Sequence, residues 1–245
     1  MTEISIKNLC KEYNDAPVLR NVNMEISGEE FCVIVGASGC GKSTFLRILL
    51  GEVQPSSGEI RIDGRPLPPE PGPERGVVYQ RYSVFPHMSV LENVMLGPGF
   101  AASPLLGRLS GKRRRAAADE AMHYLRAVGL DHACNLYPAS LSGGMQQRLA
   151  LAQALIMKPQ ILLLDEPFGA LDPGTRKDMQ DLILRLWREN RMVVFMVTHD
   201  LEEGFMLGTR VVVFDKIPSL KDGNENSGAT ITYDIPLNGR RKPCD

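Results

Sequence analysis

The sequence predicts an α/β fold: a mostly parallel sheet, an N-terminal antiparallel β-subdomain and an inserted α-helical subdomain. Three observations predict it. Short, nearly continuous apolar runs alternate with longer amphipathic stretches, the pattern of parallel strands covered on both faces. The first thirty or so residues instead alternate apolar and polar side chains, as strands with one wet face do. The stretch from about 88 to 150 is rich in Ala, Leu and Arg, which favour helix.

Taken in order, ISIKNL and RNVNMEI in segment 1–30 and EIRID (59–63) read as antiparallel strands. FCVIV (31–35) is the first fully buried strand, and TFLRILL (44–50) follows it with helical spacing, Phe45, Ile48 and Leu49 sharing one face. PLPPEPGPERG (66–76) is a loop. VVY (77–79), running on to Gln80, is the next buried strand. ADEAMHYLRAVGL (118–130) and MQQRLALAQAL are amphipathic helices of the insertion. ILLL (161–164), VVFMV (193–197) and VVVF (211–214) complete the parallel set. One domain is expected over 1–215, with the helical subdomain at about 88–150 inserted in it. The tail 216–245 is polar up to about 229, and TITYDIPL (230–237) reads as one more strand.

Composition narrows the function classes. With 43% hydrophobic and 23% charged residues the chain is an ordinary globular one, and its net charge of −1 gives no overall field to attract nucleic acid or anionic lipid. The basic run Lys112–Arg115 reads as a solvated helix face. Five cysteines, at 10, 32, 40, 134 and 244, show no metal-ligand or redox spacing, so reduced thiols in a cytoplasmic protein are expected. No signal-like apolar stretch opens the sequence, and the apolar runs are too short to span a bilayer. A membrane function therefore calls for another subunit.

GASGCGKS (36–43) fits G-x-x-x-x-G-K-[S/T] and sits between the first buried strand and its helix. This is the P-loop of an NTPase core. Gly36, Gly39 and Gly41 free the backbone to turn successive N–H groups into one concavity, and the helix start adds its positive end. Lys42 is expected on the β- and γ-phosphates and Ser43 on Mg²⁺. ATP and Mg²⁺ are the expected ligands. Cys40 lies inside the loop. It reads as a tolerated small residue, with an alternative in which Lys42 and the helix start activate its thiol and alkylation blocks ATP binding.

ILLLDEPFGALD (161–172) ends a buried strand in two acids. Because neighbours on a strand point opposite ways, Asp165 is expected toward the metal and Glu166 toward the γ-phosphate and its water. His199 of THD and Gln80 also follow strand ends, where ligands gather in such sheets. His199 is a candidate contact for the γ-phosphate. Gln80 is a candidate for the metal or the attacking water.

LSGGMQQR (141–148) resembles the signature of ABC ATPases. The order also fits: P-loop, Gln80, Ser142-Gly143-Gly144, Asp165-Glu166, Asp172, His199. The resemblance covers nearly everything up to residue 215. Ser142, Gly143 and Gly144 open a helix and so form a second anion-binding helix start, more than one chain needs for one γ-phosphate. The resemblance implies a head-to-tail dimer. Each site then joins Gly36, Ala37, Ser38, Gly39, Cys40, Gly41, Lys42, Ser43 and Thr44 of one chain to Ser142, Gly143 and Gly144 of a second copy. It further implies adenine stacking on Tyr13, whose plain alternative is a strand-edge tyrosine. Asp172 is implied as a contact to the partner's site, Gln80 as the link to the helical subdomain, Glu166 as the catalytic base and His199 as γ-phosphate sensor. RYSVFPHMSVLENV (81–94) reads either as a core connector or as a groove of Tyr82, Val84, Phe85 and Met88 for a helix of a membrane subunit.

PGPERGVVYQRYSVFPHMSVLENV and TITYDIPL look most like the nitrate, sulfonate and taurine importer group. The resemblance implies an ATPase subunit on the cytoplasmic face of a bacterial inner membrane, working with a permease and a solute-binding protein. Two other readings stay open: the ATPase of an exporter or lipoprotein-release system, and a soluble ABC protein without a membrane partner.

Overall fold

The computed structural model describes residues 2–80, 83–102, 109–216 and 228–237. Its strands are β1 (Glu3–Tyr13), β2 (Ala16–Ser27), β3 (Phe31–Val35), β4 (Ser57–Ile62), β5 (Arg65–Pro66), β6 (Arg75–Val78), β7 (Ile161–Asp165), β8 (Val193–Thr198), β9 (Arg210–Lys216) and β10 (Ala229–Pro236). Its α-helices are α1 (Lys42–Leu50), α2 (Val90–Ala102), α3 (Gly111–Ala127), α4 (Gly143–Leu155), α5 (Pro173–Asn190) and α6 (Leu201–Leu207).

The apolar runs become a parallel core in the order β9-β3-β8-β7-β6. Every residue of β3 and β8 is buried, and the pleat explains why both faces had to be apolar. Phe31, Val33, Val35, Leu162, Leu164, Val194 and Met196 enter one core together with the helical insertion and α5. The intervening residues Cys32, Ile34, Ile161, Leu163, Val193, Phe195 and Val197 enter the other, beneath α1. There Phe45 meets Phe214 and Phe195 edge-on, with ring centroids 5.3 and 6.1 Å apart.

The alternating N-terminal segments pair antiparallel, Ile6 lying opposite both Met24 and Ile60. Their apolar faces feed the core under α1. They are not a separate sheet, however. β10 pairs antiparallel with β9 and meets β2 in parallel at Ala229–Leu19, so ten strands run as β5-β4-β1-β2-β10-β9-β3-β8-β7-β6. Arg210 fastens this seam: its guanidinium donates to both carboxylate oxygens of Asp234, at 2.6 and 2.5 Å, and to the Glu25 carbonyl at 2.6 Å.

Three details differ from the sequence reading. The proline-rich loop ends earlier, because Arg75 and Gly76 already pair with Ile161 and Leu162 in β6. Arg75 is buried and donates back to the carbonyls of Leu49, Pro68 and Glu70, which gathers the loop around it. α3 starts at Gly111 and stops at Ala127, ahead of Gly129 in the left-handed region at φ 74°. α4 buries four consecutive residues, Leu149–Ala152, and is therefore enclosed on nearly all sides instead of amphipathic. It packs on α2, α3, α5 and β6.

Candidate functional site

The loop after β3 is shaped by its glycines. A Cβ on Gly36 would lie 2.2 Å from the carbonyl oxygen of Phe214 in β9, so no larger residue fits there. Gly41 is the N-cap of α1 with φ 88°, a conformation that costs other residues energy. Between them Ala37, Ser38 and Gly39 are exposed. Lys42 is buried, and its ammonium donates to the carbonyls of Gly36 and Ala37 at 2.7 and 2.9 Å. The loop thus holds its own lysine at the mouth of the cradle, beside the start of α1. Thr44 follows, half-buried, within the helix. Cys40 is only 2% exposed, its Sγ 3.9 Å from the Lys42 ammonium. Modification of this thiol therefore requires the loop to open, a constraint the sequence reading of an activated thiol lacked.

The exposed hydroxyl of Ser43 donates to Asp165 Oδ1 at 3.1 Å. Burial pushes the Asp165 carboxyl above the usual carboxylate range. The Ser43 hydrogen bond opposes that shift, and the neighbouring Glu166 charge adds to it. A hydroxyl and a half-buried carboxylate at this spacing form a hard-oxygen pair beside the phosphate cradle, the donor chemistry that Mg²⁺ takes alongside phosphate oxygens.

Strand alternation does not set the direction of Glu166. β7 ends at Asp165, and Glu166 turns into the left-handed region at φ 47°. Its N–H donates to Val197 of β8 at 3.0 Å, which pins the turn. The carboxylate accepts from Gln80 Nε2 at 3.0 Å and stands 3.8 Å from His199 Nδ1. Gln80 itself lies two residues past the end of β6 rather than on it. Gln80, Glu166 and His199 nevertheless converge, as expected of residues at strand ends.

The signature residues are apart from this cluster. Ser142 is the N-cap of α4, its Oγ accepting from Met145 N at 3.3 Å. Ser142 and Gly143 are exposed, while Gly144 is buried so closely that a Cβ would lie 2.5 Å from Thr175 Cγ2. Among the described residues, no hydrogen bond or ion pair joins Ser142, Gly143 or Gly144 to the P-loop. Asp172 is exposed and caps α5, accepting from Thr175 N at 3.1 Å. Tyr13 is 43% exposed, with the Lys11 ammonium 4.7 Å from its ring centroid, so one ring face already carries a cation.

In segment 81–94, Tyr82 lies outside the described residues. Val84 is partly buried on the core, and Phe85 is exposed. A cavity of about 470 Å³ opens beside them, lined by Met88 with His87, Glu92, Met95, Leu96 and Arg114. Of the four residues proposed for a groove, this cavity includes Met88 and neither Val84 nor Phe85. Asn93, which sequence reasoning missed, holds the segment: it is 1% exposed, and its side chain binds the backbone of Phe85, Met88 and Ser89.

The chain is similar to known proteins over most of its length. The family model described as ABC transporter matches residues 19–169. The nitrate import ATP-binding protein NrtD of Synechococcus elongatus is 43% identical over 84% of this chain and 72% of its own length. The taurine import ATP-binding protein TauB of Rhizobium johnstonii is 45% identical over 82% and 72%. Among solved structures, the dimeric ATP-binding cassette MJ0796 in a post-hydrolysis state bound to ADP and Pi superposes with a TM-score of 0.76 at 30% identity, covering 96% of this chain and 99% of that one.

Proposed function

The chain belongs to the ABC transporter family, and on that premise we propose that it is the ATP-hydrolysing subunit of an importer for a small solute of the nitrate, sulfonate or taurine kind. The observation that carries the enzymatic part is the convergence of Gln80, Glu166 and His199 beside the Ser43–Asp165 pair. The importer part is supported by the likeness to NrtD and TauB.

The residues divide the work. The backbone N–H groups of Gly36–Thr44 hold the phosphate oxygens, and Lys42 exchanges its two carbonyl partners for the β- and γ-phosphates. Ser43 and Asp165 would hold Mg²⁺, with Gln80 as a further oxygen ligand. When bound there, the ion neutralises charge building up on the phosphate oxygens. Tyr13 stacks on the adenine. Glu166 takes a proton from the water that attacks the γ-phosphorus as the bond to the ADP oxygen breaks. His199, beside the same Glu166 oxygen as Gln80, donates to a γ-phosphate oxygen.

Ser142, Gly143 and Gly144 of a second copy close over the γ-phosphate, and Asp172 touches the partner's site. Two observations support this division: the exposed helix start at Ser142 and its lack of bonding to the P-loop of its own chain. Nucleotide then acts as interfacial glue that hydrolysis weakens. No helix among the described residues is long and apolar enough to cross a membrane. The subunit sits peripherally on the cytoplasmic face of the bacterial inner membrane, against permease subunits that a periplasmic solute-binding protein serves.

The test is co-purification followed by transport. Recovery with a multi-spanning permease, and ATP-driven uptake of an oxyanion or sulfonate in the reconstituted complex, supports the proposal. Recovery with ribosomes, or ATP-driven efflux alone, overturns it.

A further inference from the structure

His199 poses a positioning problem. Its side chain is 68% exposed, so packing does not fix the ring, and its Nδ1 stands 3.8 Å from the Glu166 carboxylate. The backbone turn Thr198–Asp200 must set its place. That turn is tied down by a residue that neither the sequence motifs nor the mechanism above employs.

Glu203, in the first turn of α6, is 6% exposed. A carboxylate so buried is costly unless it is hydrogen-bonded and paired. Here it is. Its Oε2 accepts from Thr198 Oγ1 at 2.7 Å, and the same Thr198 oxygen accepts from Asp200 N at 3.1 Å. The two bonds bracket His199. On its other oxygen, Glu203 accepts from Gln180 Nε2 at 3.4 Å and faces Arg176 Nη1 at 3.9 Å. Arg176 and Gln180 are one helical turn apart on α5, and Arg176 N donates to the Asp172 carbonyl at 2.8 Å. Thr198 and Gln180 are 3% and 5% exposed, so these bonds are shielded from competing water. A cavity of about 50 Å³ is lined by Glu166, His199, Arg176 and Glu203 together. Arg176 Nε is buried with no hydrogen-bond partner among the described residues, so Glu203 is the acid on which that guanidinium depends.

We propose that Glu203 is a positioning residue for hydrolysis: its buried carboxylate locks the Thr198–His199–Asp200 turn to α5, the helix capped by Asp172, and thereby holds His199 beside Glu166. The proposal rests on the roles assigned above to Glu166 and His199.

The test measures kcat and nucleotide Kd of the full chain carrying Glu203→Gln, Thr198→Val, Thr198→Ser or the Glu203→Gln/Thr198→Val pair, with His199→Ala as reference. Glu203→Gln and Thr198→Val should each lower kcat about ten- to a hundred-fold, the scale of a misplaced catalytic group. Nucleotide Kd should stay within about twofold, because neither residue touches the P-loop. Thr198→Ser, which keeps the hydroxyl, should restore most of the rate. The double variant should lose less than the product of the two single losses, since both weaken the Thr198–Glu203 bond. Should Glu203→Gln fail to fold, Thr198→Val carries the test, its side chain filling the same volume. Wild-type kcat in the folded variants, equal losses in Thr198→Ser and Thr198→Val, or multiplying losses in the double variant would overturn the proposal. If His199→Ala is slow while Glu203→Gln and Thr198→Val are not, the positioning role alone falls. If His199→Ala turns over at the wild-type rate, the underlying reading of the site falls with it.

Discussion

Replacing Glu166 by Gln removes a base and little else. The backbone turn at φ 47° is held by the bond from Glu166 N to Val197 O, which the substitution leaves in place. Glutamine matches glutamate in shape and keeps one oxygen for the 3.0 Å bond from Gln80 Nε2. A Tm within a few degrees of the parent protein is expected. The lost group is the proton acceptor for the attacking water. General-base catalysis contributes about 10²–10⁴-fold, or about 3–5 kcal/mol at roughly 1.4 kcal/mol per decade. Nucleotide affinity should hold or rise, because a negative charge beside the γ-phosphate is gone. Phosphate release should thus fall by about two to four decades, and the chain should accumulate as an ATP-bound dimer, visible by light scattering with ATP and absent with ADP. Wild-type turnover in Glu166→Gln, or no change of mass with ATP, would refute the assignment of the base.

The remaining predictions concern the loop, the metal pair and the seam. Alkylation of Cys40 should be slow, be slowed further by ATP, and abolish nucleotide binding once complete, since the thiol lies beneath the loop at 2% exposure; equal binding before and after quantitative modification would contradict this. Asp165 holds its proton more tightly in the folded protein than in the unfolded chain. Its contribution to the stability of metal-free protein is therefore present below the unfolded pKa and lost as pH rises through the raised folded pKa. A protonated Asp165 cannot ligate Mg²⁺, so the apparent KM for Mg²⁺ should climb on acidification earlier than for an ordinary aspartate, as titrations of ATPase rate against Mg²⁺ at a series of pH values would reveal. Arg210→Leu should cost on the order of 2–3 kcal/mol in denaturant unfolding, less than a fully buried pair would, because Asp234 is 35% exposed.

How much of this was legible from sequence depended on how local the signal was. The P-loop, the buried strands and the N-cap at Ser142 are written in consecutive residues, and they appear where the pattern put them. Gln80, Glu166 and His199 were found because each follows a strand end, and parallel pairing carries those ends to one edge. Alternation along a strand does not govern Glu166, because the strand stops at Asp165 and the next residue takes a left-handed turn. The role of β10 as a seam was hidden because it depends on Arg210 meeting Asp234, Glu25 and Glu30 from distant parts of the chain. Asn93 and Glu203 were missed for the same reason. A polar residue inside a helical pattern looks like surface until its buried partners are known.

The central claim is that each ATP site is built from two chains, Gly36–Thr44 of one and Ser142–Gly144 of the other. Mixing two inactive variants tests it directly. Lys42→Ala disables the P-loop, and Gly143→Asp places a negative charge at the helix start that must meet the γ-phosphate. Each variant alone should be inactive. In a mixed dimer, one site pairs both lesions and the other pairs an intact P-loop with an intact signature. Random mixing should therefore restore up to about one quarter of wild-type hydrolysis per chain if sites act independently, by the two-fold symmetry of such a pair. If each chain instead completed its own site, the mixture would stay as inactive as its components.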